Sequence, residues 1–306
     1  MAAGLDPAQG LSPDGIGVRR EVGGALWRRP WLKALSLLAP PVGAFLAVYI
    51  AALAALFITA FWTTNSFTGE LIHTWTTTNF SQLWNASAYR TIALRTIGIA
   101  AAVTLTDALI AIPFAYFMAR LASRRTRAVL FVLVLLPLWA SYLARVYAWQ
   151  LILNHDGLLN WSLEKVGLPG ANIGETNTAV WLVFSYNWLP FMILPIYAAF
   201  ERIPHSYIEA SRDLGGKGWR TIRSVILPLA LPGIVAGSIF TFSLSLGDYI
   251  TPLLVGGASS QFIGNVVYSS ILNSQQPFAS AFAVVPVLVM GIYLLIARRL
   301  GAFDAL

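Results

Sequence analysis

The sequence predicts an all-α integral membrane protein with six transmembrane helices. Three observations carry that prediction. The 306 residues are 57% hydrophobic and only 11% charged, where a soluble domain carries about 25% charged residues. The apolar residues gather in six blocks, each longer than the roughly 18 residues that a spanning helix requires. The basic residues fall almost entirely on alternate connections between the blocks, the pattern of a chain oriented by positive charge.

The blocks are residues 35–62, 92–119, 128–153, 178–200, 229–249 and 278–297. The first follows a segment too long and too polar for a standard signal peptide, so it counts as a span. Residues 1–34 have no apolar period and read as a flexible cytoplasmic tail. Residues 35–300 form the membrane domain, and 301–306 are a short C-terminal tail. Asp107 sits near the middle of the second block. Pro137 interrupts the third block, and Pro190 and Pro195 interrupt the fourth; each is expected to kink its helix. Gly233 and Gly237 in the fifth block form G-x-x-x-G, which permits close helix approach.

Charge orients the six spans. The tail holds Arg19, Arg20, Arg28, Arg29 and Lys33, and the connection after the second block holds Arg120, Arg124, Arg125 and Arg127. Residues 201–232 hold Arg202, Arg212, Lys217, Arg220 and Arg223, and Arg298 and Arg299 follow the last block. With six spans these sixteen of the twenty basic residues share one side, which places both termini in the cytoplasm. The net charge of +7 is thereby explained without nucleic acid. Trp62, Trp75, Trp84, Tyr147, Trp149 and Trp161 fall at the opposite ends, as interfacial anchors do.

Several chemistries are excluded. The chain has no cysteine and three scattered histidines, so disulfides, thiolate metal sites and a histidine metal site are not expected. No G-x-S-x-G or H-E-x-x-H occurs. The nearest approach to a phosphate-binding loop, Gly215-Gly216-Lys217-Gly218, lacks the magnesium-ligating Ser or Thr and the spaced glycine. The chain is therefore read as a transport subunit and not an enzyme, binding no cofactor and no ATP itself.

The connection 201–232 is long enough to have structure of its own. Ser206 and Glu209 form S-x-x-E, a capping box that starts a helix. Gly215-Gly216 is a stop signal, a second short helix fits 219–227, and Pro228 precedes the next span. Glu209-Ala210-Ser211, three residues, Gly215, nine residues and Val225-Ile226-Leu227-Pro228 resemble the EAA loop of ABC importer permeases. The departures from that pattern are Ser211 and Val225. The runs 136–149, 157–160, 186–197 and 245–252 are similar to spermidine/putrescine permeases, and the resemblance covers roughly residues 35–300.

The resemblance implies a type I (MetI-like) importer bundle in the cytoplasmic (inner) membrane. It implies that Glu209, Ala210, Ser211, Asp213 and Gly215 contact a separate ATPase dimer, which uses ATP and Mg. It further implies a second permease subunit, identical or sister, and an extracytoplasmic solute-binding protein. The cargo is a polyamine by preference, with iron, thiamine or phosphonate as alternatives; an ion-coupled secondary carrier and a membrane-embedded hydrolase are the remaining readings. Asp107 and Asp248 are candidates for a cationic path, because charges inside spans usually face one. Trp139, Tyr142, Tyr147, Tyr186, Trp188 and Tyr249 are candidates to line it by cation–π attraction. Arg145 is expected to snorkel or to pair with an acid.

Overall fold

The computed structural model describes residues 30–65 and 68–299. The tail basics Arg19, Arg20, Arg28 and Arg29, and the expected C-terminal tail 301–306, lie outside the described residues. Contacts divide the chain into two units, 1–56 and 57–306.

The first unit is described as most of one helix, α1 (Pro30–Thr59), which begins inside the segment expected to be a tail. No residue in its most apolar window is buried. Leu35, Leu38, Phe45 and Val48 stand exposed, as suits a helix whose solvent is lipid.

The second unit opens with a two-stranded hairpin, β1 (Thr63–Thr64) and β2 (Leu71–Ile72), and a short helix, α2 (Thr78–Asn85). Asn79 on α2 donates to the carbonyls of Ala60 (2.9 Å) and Trp62 (2.8 Å). Then comes α3 (Ser87–Tyr116), which runs on into a π turn, Phe117–Leu121. The Ser123 side chain accepts from the Thr126 amide and starts α4 (Arg124–Trp139).

The third span is not the single helix 128–153 that the apolar block predicts. The chain breaks between α4 and α5 (Tyr142–Leu153), and the stretch Tyr142–Lys165 is bent by 92° from Arg124–Trp139. Pro137 offers no N–H to the helix ladder; Ala140 and Ser141 are extended, and Ala140 N–H reaches only the Pro137 carbonyl. A short helix, α6 (Leu158–Lys165), follows.

The centre of the unit is α7 (Asn177–Arg202), which runs through Pro190 and Pro195 as one helix. It packs most extensively against α3 and α10, and Met192, Ile193, Ile196 and Phe200 join Ala111, Ala115, Met118 and Ala230 in one buried cluster. After α8 (His205–Asp213), α9 (Gly218–Thr221) leads through a second π turn, Ile222–Ile226, into α10 (Leu227–Gly247). The separate helix expected at 219–227 is thus the first part of a 30-residue span, Gly218–Gly247. The widened turn lies just before Pro228, whose ring would otherwise strike the preceding turn.

The glycine motif does what its spacing predicts. A Cβ on Gly233 would lie 2.4 Å from Ala199 Cβ and 2.6 Å from the Pro195 carbonyl. One on Gly237 would lie 2.8 Å from Met192 Sδ. Close contact of α10 with α7 therefore requires glycine at both places. The chain ends in α11 (Ile250–Val255), α12 (Ile263–Leu272) and α13 (Gln276–Arg299). Among the described residues five helices are long and apolar enough to cross a membrane, or six if the bent pair is one span.

Candidate functional site

Three arrangements bring the singled-out residues together. The first is α8. Its N-cap is Pro204 and no side chain caps it, so the Ser206–Glu209 capping box does not form. Ser206 lies inside the first turn, and the fixed φ of proline sets the helix entry instead. The other end follows the sequence. Gly215 sits at φ +79, the Gly216 amide bonds the Ser211 carbonyl (2.8 Å) and the Gly215 amide bonds that of Arg212 (2.9 Å). This pair of bonds is a Schellman stop.

The faces of α8 differ in role. Ile208 packs on the buried cluster beneath, and Ser211 Oγ lies 2.9 Å from Thr221 Oγ1, itself 4% exposed. Glu209, Ala210 and Asp213 face outward. A groove of about 430 Å³ is lined by Tyr207, Ala210, Ser211, Leu214, Arg220 and Val225, among others. Leu214 is 89% exposed and Trp219 74%. Large apolar side chains bared on a polar loop mark a protein contact. Neither was singled out in the sequence, although a Trp and a Leu flanking a Gly-Gly turn carry that signal.

The second arrangement is the break in the third span. Tyr142, the first residue of α5, donates its hydroxyl to Asp248 and lies 2.7 Å from Thr251 Oγ1. Asp248 also accepts from the amides of Ile250 (2.8 Å) and Thr251 (3.3 Å) and from Thr251 Oγ1 (2.9 Å). Its acceptor positions are thus filled from within the chain, and it starts α11. Trp188 stacks on Tyr142 at 5.7 Å. The Arg145 guanidinium lies 5.8 Å from the Tyr142 ring centre, and its buried Nε and Nη1 have no hydrogen-bond partner among the described residues. Among the described residues Arg145 forms no ion pair with an acid. Thr251 was legible three residues after Asp248, the spacing of an Asx cap.

The third arrangement is a buried polar layer where α3, α7 and α10 meet. Asp107 is fully buried, as are Asn187 and Thr241. Among the described residues, both Asp107 oxygens, Ser185 Oγ, both polar atoms of the Asn187 amide, Trp188 Nε1 and Thr241 Oγ1 have no hydrogen-bond partner at full bonding geometry. Ser185 stands close enough to Asp107 for their side chains to interact. Orphaned polar groups in an apolar core cost about 1–3 kcal/mol each. Such a concentration in one layer marks the place for a role beyond packing. Ser185, Asn187 and Thr241 are polar residues inside apolar blocks, a signal the sequence offered.

The remaining path candidates separate. Tyr186 packs edge-on to Trp149 at 5.2 Å, and Tyr249 stacks on Tyr268 at 4.7 Å. Trp139 is 87% exposed and Tyr147 51%. No group of three or more His, Cys, Asp or Glu residues suited to a metal occurs among the described residues.

Long apolar helices with a short polar helix between two of them fit a membrane-embedded permease, and comparison with known proteins gives its kind. Residues 111–303 match the family described as binding-protein-dependent transport system inner membrane component. The chain belongs to that family, whose members are multi-pass proteins of the inner membrane. It is 43% identical to the inner membrane ABC transporter permease protein YdcU of Escherichia coli K12, over 99% of both chains. It is 34% identical to the spermidine/putrescine transport system permease protein PotB of Haemophilus influenzae, over 72% of this chain and 78% of that one. Among solved structures it matches a bacterial ABC transporter involved in import of the acidic polysaccharide alginate. The TM-score there is 0.68 at 18% identity, covering 91% of this chain and 99% of the other.

Proposed function

We propose that this chain is the permease subunit of an ATP-driven importer for a polyamine, switched between inward- and outward-open states by a separate ATPase pair acting on α8. The observation that carries this reading is the geometry of α8. Its outward face carries Glu209, Ala210 and Asp213, and its inward face is fastened to the start of a span through Ser211 and Thr221. A helix so mounted passes a push from a partner into the bundle.

Orientation rests on charge. Arg120, Arg124, Arg125, Arg127, Arg202 and the α8 basics lie on connections that the positive-inside rule assigns to the cytoplasm, where ATP is available. A sister or identical permease and a solute-binding protein outside the membrane complete the assembly. ATP and Mg bind the ATPase pair and not this chain. Cargo binding outside favours closure of the ATPases, α8 moves inward with them, and the spans open outward to take the cargo; hydrolysis resets the bundle.

The polyamine reading is supported by PotB similarity and by Asp107, a fully buried carboxylate beside Ser185 with no charged partner among the described residues. A carboxylate joined by hydroxyls and an amide suits an ammonium group, which needs three acceptors. Arg145 favours a second reading. A half-buried guanidinium beside Tyr142, two of whose nitrogens are buried without a partner among the described residues, suits a cargo that also bears a carboxylate. Uptake in proteoliposomes holding the assembled transporter separates these. Spermidine or putrescine accumulating only with internal ATP and the binding protein supports the first. Accumulation of an amino acid-like zwitterion, with no polyamine uptake, supports the second. Uptake driven by an ion gradient without ATP sinks both.

A further inference from the structure

We infer that Arg120 is a positioning residue that makes the joint between α7 and α8 rigid, so that movement of α8 also carries α3. The inference rests on the proposed ATP-driven role of α8.

The covalent joint is short and plain. α7 ends at Arg202, Ile203 and Pro204 are extended, and α8 starts at His205. Two extended residues without further bonds form a hinge, because hinges are a few positions that absorb backbone rotation. Arg120 closes this hinge from another helix. One guanidinium nitrogen, Nη2, donates to the carbonyls of Phe200 (2.5 Å) and Ile203. The other, Nη1, stands 3.5 Å from His205 Nε2. A single planar fork thus touches the last turn of α7, the joint itself and the first residue of α8. The positive charge also complements the carbonyl end of α7.

Arg120 is placed by an irregularity. It lies in the π turn Phe117–Leu121 at the end of α3. Such turns are costly and are retained mostly where function needs them. Arg127 braces the same turn from α4, donating through Nε to the Met118 carbonyl and through Nη2 to that of Ala119, each at 3.0 Å. It also approaches Glu201 on α7 at 3.6 Å. On its far side α8 is fastened to the beginning of the fifth span by Ser211 and Thr221, next to the second π turn. α8 is therefore held by α3 and α7 at its start and by the fifth span at its end. Side-chain bonds act where the backbone would bend.

Lysine cannot reproduce the fork, since it is a point charge without paired planar donors. The assembled transporter, with its ATPase, partner permease and binding protein, tests this in proteoliposomes with Arg120→Ala, Arg120→Lys and the exposed control Arg125→Ala. In Arg120→Ala, assembly and basal ATP hydrolysis are expected to persist. Stimulation of hydrolysis by loaded binding protein and cargo uptake are expected to fall about tenfold, within the range of allosteric couplings. Arg120→Lys should lie between, and Arg125→Ala should match the parent. Wild-type stimulation and uptake in Arg120→Ala would overturn the inference, and so would failure of both Arg120 variants to assemble, which would make it a folding residue. If only Arg120→Ala fails to assemble, Arg120→Lys decides: reduced stimulation supports the inference and parental stimulation overturns it. Absence of ATP-dependent uptake in the parent transporter would instead remove the role of α8 itself.

Discussion

The hydroxyls of Ser211 and Thr221 lie 2.9 Å apart and tie α8 to the first turn of the fifth span. Ser211 is one of the two departures from the Glu-Ala-Ala pattern, and the bond gives that departure a use. Thr221→Val removes one partner and buries Ser211 Oγ against a methyl group. Such a loss costs about 0.5–1.5 kcal/mol. Thermal unfolding in detergent should drop by a few degrees while uptake falls further, because the fastening of α8 is loosened. Unchanged uptake alongside a lowered melting temperature would make the bond structural only.

Tyr142→Phe removes the hydroxyl shared by Asp248 and Thr251. The break between α4 and α5 should lose about 0.5–1.5 kcal/mol, the net worth of one hydrogen bond, because Thr251 Oγ1 still donates to the same Asp248 oxygen. Asp248→Ala should destabilise more than Asp248→Asn, because asparagine keeps an oxygen for the amides of Ile250 and Thr251. Differential scanning fluorimetry of the three variants gives the order; equal melting for Asp248→Ala and the parent would contradict it.

Gly237→Leu should prevent α10 from approaching α7. The first added carbon would already meet the Met192 backbone carbonyl at 3.0 Å and its sulfur at 2.8 Å. Overpacking of this kind costs about 1–3 kcal/mol, and size-exclusion chromatography should show loss of a monodisperse peak. Gly98, where an added Cβ meets nothing within 4 Å, is the control: Gly98→Ala should behave as the parent does.

Asp107→Leu and Asp107→Asn separate the uses of the buried carboxylate. An apolar residue relieves an orphaned polar group and should raise the melting temperature. If Asp107 serves a cationic cargo, uptake should fall about tenfold or more in Asp107→Leu and less in Asp107→Asn, since a buried charge contact is worth a few kcal/mol. A raised melting temperature with parental uptake would leave Asp107 outside the path.

Much of the fold was legible because a bilayer demands long apolar helices, and hydropathy finds them. Pro137 marks where the third span bends, but the apolar run continues through Ala140 and Ser141 and hides how sharply. What turns the chain there involves Asp248 and Thr251, more than a hundred residues beyond Tyr142. The capping box failed because Pro204 preceded Ser206 and took the N-cap position. Gly215 was read correctly because a positive φ at a helix end is a local demand that glycine meets alone at no cost. Asp107 was found by its charge, whereas Ser185, Asn187 and Thr241 were passed over, since a single neutral polar residue barely lowers the hydropathy of a span. Arg120 was counted only as charge. Its contacts with Phe200, Ile203 and His205 depend on the π turn, which no spacing in the sequence announces.

If the outward face of α8 receives the ATPase, the Glu209→Lys variant should lose its grip on it, and binding of the purified ATPase to that variant is the sharpest test. Glu209 is exposed and its side chain makes no hydrogen bond or ion pair with other described residues, so the substitution spares the fold. The account predicts normal membrane insertion and an unchanged melting temperature. It also predicts at least about tenfold weaker capture of the purified ATPase by the reconstituted permease, a loss of the size found for charge reversal at an interface. Capture of the ATPase at parental affinity by a correctly inserted Glu209→Lys permease would contradict it.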